Sequence, residues 1–254
     1  MIEAVSMNAG YGGKPVVHDF TFRFETGKNY CLLGPNGCGK TTTLRALSGL
    51  IAHTGQVLLD GTPIESLSRP AVAGKIAVMS QLNAVHFPYT VYDTVLLGRY
   101  QSMRRSLFGA ASAHDREIVE RCLRTTGLID IKDRLIDELS GGQRQRVFLA
   151  HTLAQEPQTI LLDEPTNHLD IRHQLELIDY LKDWTSDGVH SVIGVFHDVN
   201  LALRMTDNAL FMKDGCLAAA GRFAETASRE FLTDLFGLDI AAYMTESLSR
   251  WQSF

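Results

Sequence analysis

The sequence predicts an α/β fold, in which a largely parallel sheet forms the core and a helical segment is inserted into it. Short apolar runs alternate with stretches of helical periodicity along most of the 254 residues, which is the first observation behind this prediction. The second is a glycine-rich turn, residues 34–39, that joins an apolar run directly to a helical stretch. The third is the region 91–157, which looks mostly helical and contains no clear strand.

The predicted strands are short, and several of them stop at glycine or acidic residues. In chain order they cover residues 30–33, 57–59, 75–80, 159–162, 191–196 and 209–212. The pair Asp60-Gly61 follows the second of these strands and predicts a hairpin there. The predicted helices cover residues 41–50, 113–126, 143–155, 173–185 and 229–237.

The composition narrows the class of protein. A formal charge of −5 argues against a nucleic-acid-binding protein, because such proteins normally carry a basic face. The four cysteines are scattered without metal-ligand spacing, which fits a reducing compartment. No apolar run approaches the roughly 20 residues that a membrane span needs. The first ten residues lack the features of a signal peptide. We therefore expect a protein that does not itself cross a membrane.

A phosphate-binding loop is the first motif with a chemical meaning. The pattern GxxxxGK(S/T) is matched in full by Gly34-Pro35-Asn36-Gly37-Cys38-Gly39-Lys40-Thr41. Glycines let the backbone fold around phosphates with its N–H groups pointing inward, and the following helix presents its positive N-terminal end. Lys40 can reach the terminal phosphates, and the Thr41 hydroxyl can ligate Mg²⁺. The loop therefore predicts a nucleoside triphosphate site.

An acidic pair supplies the second motif. Asp163 and Glu164 come directly after the apolar strand 159–162, at the strand end where open α/β sheets bind their ligands. Beside a phosphate loop, Asp163 is a candidate for the Mg²⁺ shell. Glu164, one residue further, is a candidate general base for the attacking water.

The third motif, Leu139-Ser140-Gly141-Gly142-Gln143, precedes a predicted helix. Ser140 suits an N-cap, and the two glycines expose backbone N–H groups at the helix start. Alone, these residues would equally describe a capped helix with flexible glycines. Together with the phosphate loop upstream and the acidic pair downstream, they resemble the nucleotide-binding subunits of ABC transporters, whose signature LSGGQ is intact here.

This resemblance covers essentially the whole chain and implies a domain organisation. It implies one ABC ATPase domain with a P-loop NTPase (RecA-like) core and an N-terminal antiparallel β region. The core would consist of residues 1–90 and 157–254. Residues 91–156 would form the inserted α-helical subdomain.

The resemblance also implies roles for individual residues. Tyr11 would stack on adenine, and Thr42 would join residues 34–41 in binding ATP. Gln81 would contact Mg²⁺ or water and sense the membrane partner. Asp170, in the D-loop 165–170, would lie at a dimer interface. His197 would approach the γ-phosphate and act in catalysis together with Glu164 and Lys40.

Such subunits bind ATP between two copies, with Mg²⁺ held by Thr41, Gln81 and Asp163. The ATP would be covered by the signature residues of the opposite copy, Ser140, Gly141, Gly142 and Gln143. The implied partners are a second copy, two transmembrane permease subunits and, indirectly, a substrate-binding protein, at the cytoplasmic face of the plasma membrane. The aromatic-rich segment 82–100 either lines the permease docking site or packs locally.

The cargo is indicated by association alone. Residues 87–100 and 166–174 look like those of importers of metal chelates, namely ferric siderophores, haem and vitamin B12. Gln101 departs from the Arg-Tyr-Pro continuation common in those importers. Two alternatives stay open, a cytosolic Fe–S assembly ATPase and an exporter subunit. A GTPase is disfavoured because we find no NKxD element.

Overall fold

The computed structural model describes residues 1–79, 88–105, 110–167 and 169–252. The strands in these ranges are β1 (Ile2–Tyr11), β2 (Lys14–Phe24), β3 (Tyr30–Leu33), β4 (His53–Leu59), β5 (Thr62–Pro63), β6 (Ile76–Met79), β7 (Thr159–Asp163), β8 (Ser191–Val195), β9 (Asn208–Lys213) and β10 (Cys216–Arg222). The helices are α1 (Lys40–Leu47), α2 (Arg69–Ala73), α3 (Val91–Leu97), α4 (Tyr100–Arg105), α5 (Ala113–Thr125), α6 (Gly141–Ala154), α7 (Ile171–Trp184), α8 (Val199–Met205), α9 (Phe223–Thr226), α10 (Arg229–Phe236) and α11 (Ile240–Trp251).

A six-stranded sheet forms the centre of the fold, in the order β10-β9-β3-β8-β7-β6. All neighbouring strands in it are parallel except β10, which pairs antiparallel with β9. Every residue of β3, β7 and β8 is buried, as expected for parallel strands covered by helices on both faces. The predicted parallel α/β core is therefore confirmed.

The register of the three central strands positions the site. Val195 of β8 pairs with Leu32 of β3 on one side and with Asp163 of β7 on the other. The carboxyl ends of these strands therefore lie abreast at one edge of the sheet. Whatever follows each strand in sequence is brought to that edge.

A second sheet is antiparallel, with the order β2-β1-β4-β5. It encloses α1 together with the parallel sheet, and the residues between them form one hydrophobic core that includes Phe20, Leu44 and Ile193. β4 and β5 form the hairpin predicted at Asp60-Gly61. The antiparallel β region implied by the family resemblance is thus present at the N-terminal end of the fold.

The described residues between β6 and β7 contain helices and no named strand. Helices α3, α5 and α6 pack against one another, and their apolar faces join the other face of the parallel sheet in a second core. Ser112 caps α5, and Asp115 on its first turn bonds back to the cap. Buried Arg99 donates to Asp115 at 3.0 Å and to the Ala154 carbonyl at 2.7 Å, so it ties α5 to the end of α6. The boundaries 91–156 of a separate subdomain remain a prediction.

The central elements lie within a few residues of their predicted positions, whereas several peripheral elements have no counterpart among the predicted ones. β1 and β2 were not delimited, and β1 is interrupted by register shifts with Ser6 at φ 45°, which break strict alternation of buried and exposed residues. α11 was not predicted, and none of its residues is buried. No helix in the described part of the chain is long and apolar enough to span a membrane.

Candidate functional site

The loop between β3 and α1 needs glycine at defined positions. Gly34, Gly37 and Gly39 have φ values of 148°, 81° and 101°, which side chains of L-residues rarely allow. A Cβ on Gly34 would lie 2.2 Å from the carbonyl oxygen of Met212 in β9. The backbone therefore passes against the neighbouring strand before it turns into α1. A loop of this kind, followed directly by a helix, can offer backbone N–H groups and the positive helix end to an anion.

Lys40 is folded over this loop. Its side chain is buried, and Nζ donates to the carbonyl oxygens of Gly34 at 2.8 Å and Pro35 at 2.9 Å. Two carbonyls of the loop thus hold the ammonium group against it. The same group can bind phosphate oxygens there. Among the other loop residues, Cys38 is buried and burial raises the pKa of its thiol, Asn36 is exposed, and Thr42 is buried in α1.

Thr41 and Asp163 meet at the carboxyl end of β7. The Thr41 hydroxyl donates to Oδ1 of Asp163 at 2.8 Å. Burial raises the pKa of the Asp163 carboxyl, and the hydrogen bond from Thr41 opposes this in part. A hydroxyl and a buried carboxylate are the hard oxygen donors that Mg²⁺ prefers, and a cation would offset the cost of burying the charge. The residues present therefore fit the expected magnesium ion.

Glu164 is held in a defined position next to Asp163. It adopts φ 56°, a left-handed conformation that is uncommon for a residue other than glycine. Its backbone N–H donates to the Val195 carbonyl at 3.2 Å. One carboxylate oxygen is hydrogen-bonded to Nε2 of His197, and the other accepts from Nδ2 of Asn167 at 2.5 Å. The structure thus brings two of the predicted catalytic residues, Glu164 and His197, into contact.

Asn167 was not among the predicted site residues. It lies in the segment 165–170 that the family resemblance singled out, but an asparagine after a Pro-Thr pair looks like an ordinary turn residue. Its Nδ2 donates to the carboxylate of Glu164, three residues earlier, where the backbone is left-handed. No signal in the sequence indicates that geometry.

The signature segment forms the start of α6. Ser140 is the N-cap: its hydroxyl accepts from the Gln143 N–H at 3.2 Å, and the Gln143 side chain accepts from the Ser140 N–H at 3.0 Å. This capping box leaves the N–H groups of Gly141 and Gly142 at the helix start. Within the described ranges, no hydrogen bond joins residues 140–143 to residues 34–41. The two candidate anion sites are therefore not directly bonded within one chain.

Asp170 caps α7 next to this segment. It accepts from the His173 N–H at 3.0 Å and contacts the His173 ring at 2.8 Å, and these bonds lower the pKa of its carboxyl. A methyl group on Gly142 would lie 3.5 Å from the same ring. Gln145 of α6 donates to the Pro165 carbonyl at 2.7 Å. These contacts fix the signature helix against the segment that follows Glu164.

Tyr11 lies at the end of β1, on the surface. Its ring is 45% exposed, and its hydroxyl accepts from Arg45 of α1 at 3.2 Å. A surface-exposed ring attached to the helix that follows the phosphate loop is free to stack on a planar ligand. Gln81, the predicted magnesium and partner-sensing residue, lies outside the described residues, as do His86, Phe87 and His168.

Comparisons with known proteins agree with this geometry. The model of the ABC transporter family matches residues 17–167. The chain is 36% identical over 234 residues to the iron(3+)-hydroxamate import ATP-binding protein FhuC of Bacillus subtilis, covering 92% of this chain and 86% of that one. It is also 36% identical to the ferric enterobactin transport ATP-binding protein FepC of Escherichia coli (91% and 85% covered).

Two solved structures are similar in fold. One is a protein assigned to the metal-chelate type of ABC transporter, in an inward-facing conformation, with a TM-score of 0.80 and 27% identity over 94% of this chain and 89% of that one. The other is the dimeric structure of MJ0796, a bacterial ABC transporter cassette, with a TM-score of 0.76 and 27% identity over 87% of this chain and 98% of that one.

Proposed function

The chain belongs to the ABC transporter family of ATP-binding proteins, and from that premise we propose that it hydrolyses ATP to power the import of an iron chelate. The observation that carries the ATPase part is the register of the central sheet. Val195 lies between Leu32 and Asp163, so the phosphate loop, the acidic pair and His197 all follow strands that end at one edge. ATP binding and its hydrolysis need these groups at one place.

ATP binding is assigned to residues 34–42. The loop N–H groups and the N-terminal end of α1 favour the negatively charged phosphates. Lys40 would exchange its carbonyl partners for phosphate oxygens, and Tyr11 would stack on the base. Thr41 and Asp163 would hold Mg²⁺, with Gln81 as the further ligand that the family resemblance implies. When bound, the ion neutralises charge on the phosphate oxygens.

Hydrolysis is assigned to Glu164 as the general base. Its carboxylate would take the proton of the attacking water, and Asn167 fixes the orientation of that carboxylate through the 2.5 Å hydrogen bond. His197 holds the other oxygen and would contact the γ-phosphate. The geometry supports this assignment because Asn167 and His197 already hold the Glu164 carboxylate in place. The side chain therefore loses little conformational entropy when it contacts the attacking water.

A second copy of the chain is the proposed partner at the site. Ser140, Gly141, Gly142 and Gln143 form a helix start that suits an anion, and within the described ranges it is not hydrogen-bonded to the phosphate loop of its own chain. In a dimer, these residues would cover the ATP bound by the opposite copy, and Asp170 would lie at the interface. The dimeric cassette of MJ0796 supports this arrangement.

The cargo and the membrane partners are inferred from the relatives. Their names refer to a ferric hydroxamate, ferric enterobactin and, for the 37% identical HmuV of Rhizobium meliloti, hemin. We assign an iron chelate to this chain on that basis, with a ferric siderophore as the first candidate. Two permease subunits would bind the chain at the cytoplasmic face of the membrane, and a substrate-binding protein would act through them.

The experiment is an uptake measurement in the source cells with the gene for this chain deleted. Radioactive iron would be supplied as a ferric hydroxamate, a ferric catecholate or haemin, and uptake compared after complementation with wild type or Lys40→Ala. We expect one chelate to lose uptake, with rescue by wild type alone. Unchanged uptake of all three chelates would exclude the assigned cargo. Purified chain that hydrolyses ATP but never co-purifies with membrane subunits would indicate a cytosolic ATPase instead.

A further inference from the structure

Two backbone N–H groups at the start of α6 are not used by the cap of that helix. Ser140 and Gln143 bond to each other in the capping box, which leaves the N–H groups of Gly141 and Gly142. N–H groups at a helix start attract negatively charged groups, whether these belong to a ligand or to the protein itself. A carboxylate of the chain that reached them would therefore compete with a bound phosphate.

Asp170, the N-cap of α7, carries a carboxylate that is held by His173. Nδ1 of the His173 ring lies 2.8 Å from Oδ1 and 2.9 Å from Oδ2 of Asp170. The His173 backbone N–H also donates to Oδ1, at 3.0 Å. The backbone bond and, after it, the ring contact lower the pKa of Asp170, so its carboxyl is ionised and can only accept. Nδ1 of His173 therefore donates a hydrogen bond to this carboxylate.

The same ring atom lies beside the start of α6. A Cβ on Gly142 would lie 3.5 Å from Nδ1 of His173 and 3.7 Å from Cδ2 of Leu169. Because Cα–Cβ bonds of an α-helix tilt towards its N-terminus, the ring lies at the end of α6 where the unused N–H groups are. Within the described ranges, no hydrogen bond joins Asp170 to Gly141 or Gly142. His173 thus contacts the carboxylate and lies against the helix start.

His173 is the only side chain among the described residues that hydrogen-bonds the Asp170 carboxylate. Arg172, the neighbouring cation, donates instead to Glu176 at 2.8 Å. Without the His173 ring, the ionised carboxylate would be able to accept from Gly141 and Gly142, as an N-cap aspartate accepts from its own helix. It would then take the place that a phosphate oxygen needs.

We propose that His173 is a positioning residue of the shared ATP site: it holds the Asp170 carboxylate on its ring and so keeps the start of α6 open for the phosphates of the ATP bound by a second copy. His173 acts through Asp170 and does not itself touch the nucleotide. This inference rests on the proposed sharing of ATP between two copies, and it adds a residue that the family resemblance did not single out.

The test measures ATP-dependent dimerisation by light scattering in the Glu164→Gln background, in which slow hydrolysis keeps ATP bound. His173→Ala should weaken dimerisation at least about tenfold, the size expected for losing a hydrogen bond to a charged group. Binding of ATP to the single chain should stay within about twofold, because residues 34–42 are not altered. His173→Asn should restore most of the dimerisation, because the asparagine amide can donate to Asp170 in place of Nδ1.

His190→Ala is the matched control. His190 makes the same contacts with Asp187, three residues earlier, through its ring and its backbone N–H. Its side chain is 32% exposed, compared with 29% for His173. It lies just before the start of β8, whereas His197 follows the other end of that strand. His190→Ala should therefore change dimerisation by less than about twofold.

The charge of Asp170 is tested by repeating His173→Ala in a chain that also carries Asp170→Asn. Asparagine remains a good N-cap, so the start of α7 is kept while the negative charge is removed. In that chain the loss of His173 should change dimerisation by less than about twofold. An equal effect of His173→Ala with and without the charge, or an effect as small as that of His190→Ala, would overturn this inference alone. A Glu164→Gln background that binds ATP but stays monomeric would overturn the shared site itself, and this inference with it.

Discussion

Replacing Glu164 by Gln tests the proposed catalytic base. The substitution keeps the shape of the side chain but removes its ability to take a proton. A general base typically contributes roughly 10²–10⁴-fold to a rate, or about 3–5 kcal/mol of barrier. We therefore expect turnover to fall by at least about a hundredfold, while residues 34–42 and thus ATP binding are unaffected.

The fold should tolerate this change. Glu164 accepts hydrogen bonds on both oxygens, from Asn167 and from His197, whereas a glutamine has one acceptor and one donor. The imidazole of His197 can present a lone pair instead, and the Glu164 side chain is 20% exposed, so water can reach it. The cost in stability should stay near the low end of the range for a disturbed hydrogen bond, about 1 kcal/mol.

The assay is phosphate release at saturating Mg-ATP, combined with light scattering for the mass in solution. Glu164→Gln should bind ATP, release phosphate slowly and accumulate as a dimer. The control is Glu117→Gln, an exposed position on α5 with a side chain 78% accessible, which should behave as wild type. Turnover of Glu164→Gln within tenfold of wild type would refute the general-base assignment. A slow variant that stays monomeric would instead refute the shared site.

Three further predictions concern stability as well as function. Burial raises the pKa of Asp163, so its charge destabilises the nucleotide-free fold above that pKa, and the cost vanishes as pH falls towards 3.8, the ordinary pKa of an aspartate. Asp163→Asn should therefore melt higher than wild type at pH 7 in calorimetry, with an advantage that disappears by about pH 4; equal melting at every pH would contradict it. Ser140→Ala should cost about 1 kcal/mol in urea unfolding through loss of the N-cap and stop turnover while ATP binding is retained; a variant with wild-type turnover argues against a signature role. Gly34→Ala should abolish ATP binding, because its Cβ would lie 2.2 Å from the Met212 carbonyl oxygen. A Cβ on Gly37 has no neighbour within 4 Å, so Gly37→Ala should weaken ATP binding by only about 1–2 kcal/mol, the cost of its left-handed φ. Equal losses of ATP-binding free energy for the two variants in titration calorimetry would show that the clash at Gly34 is relieved.

The central elements can be predicted from the sequence where they border a motif with a narrow physical requirement. The strand Tyr30–Leu33 must end where the glycines begin, and α1 must start at the lysine. The same reasoning could not delimit β1 and β2. Their bulges shift the register, and an irregular strand does not show period-two alternation.

The contacts between motifs were also beyond the reach of the sequence. Tyr11 and Arg45 are 34 residues apart, and nothing in either neighbourhood indicates that they meet. The ion pair of Arg99 with Asp115 depends on how α5 packs at the end of α6. Motifs determine which groups are present, whereas packing determines which of them are joined, and packing is a property of the whole fold.

One such chain of contacts connects the signature helix to the proposed base within a single protomer. Gln145, in the second turn of α6, is bonded to the Pro165 carbonyl, and Asn167, two residues further, is bonded to Glu164. His173 contacts Asp170 on the same segment and lies against Gly142. Because only one residue separates Pro165 from Asn167, a shift of α6 that moves Pro165 would also act on the hydrogen bond between Asn167 and Glu164. If the start of α6 engages the ATP of a second copy, the position of the base in each protomer depends on the nucleotide bound by the other. Two sites that share their parts in this way are physically coupled, and coupling of that kind is reciprocal.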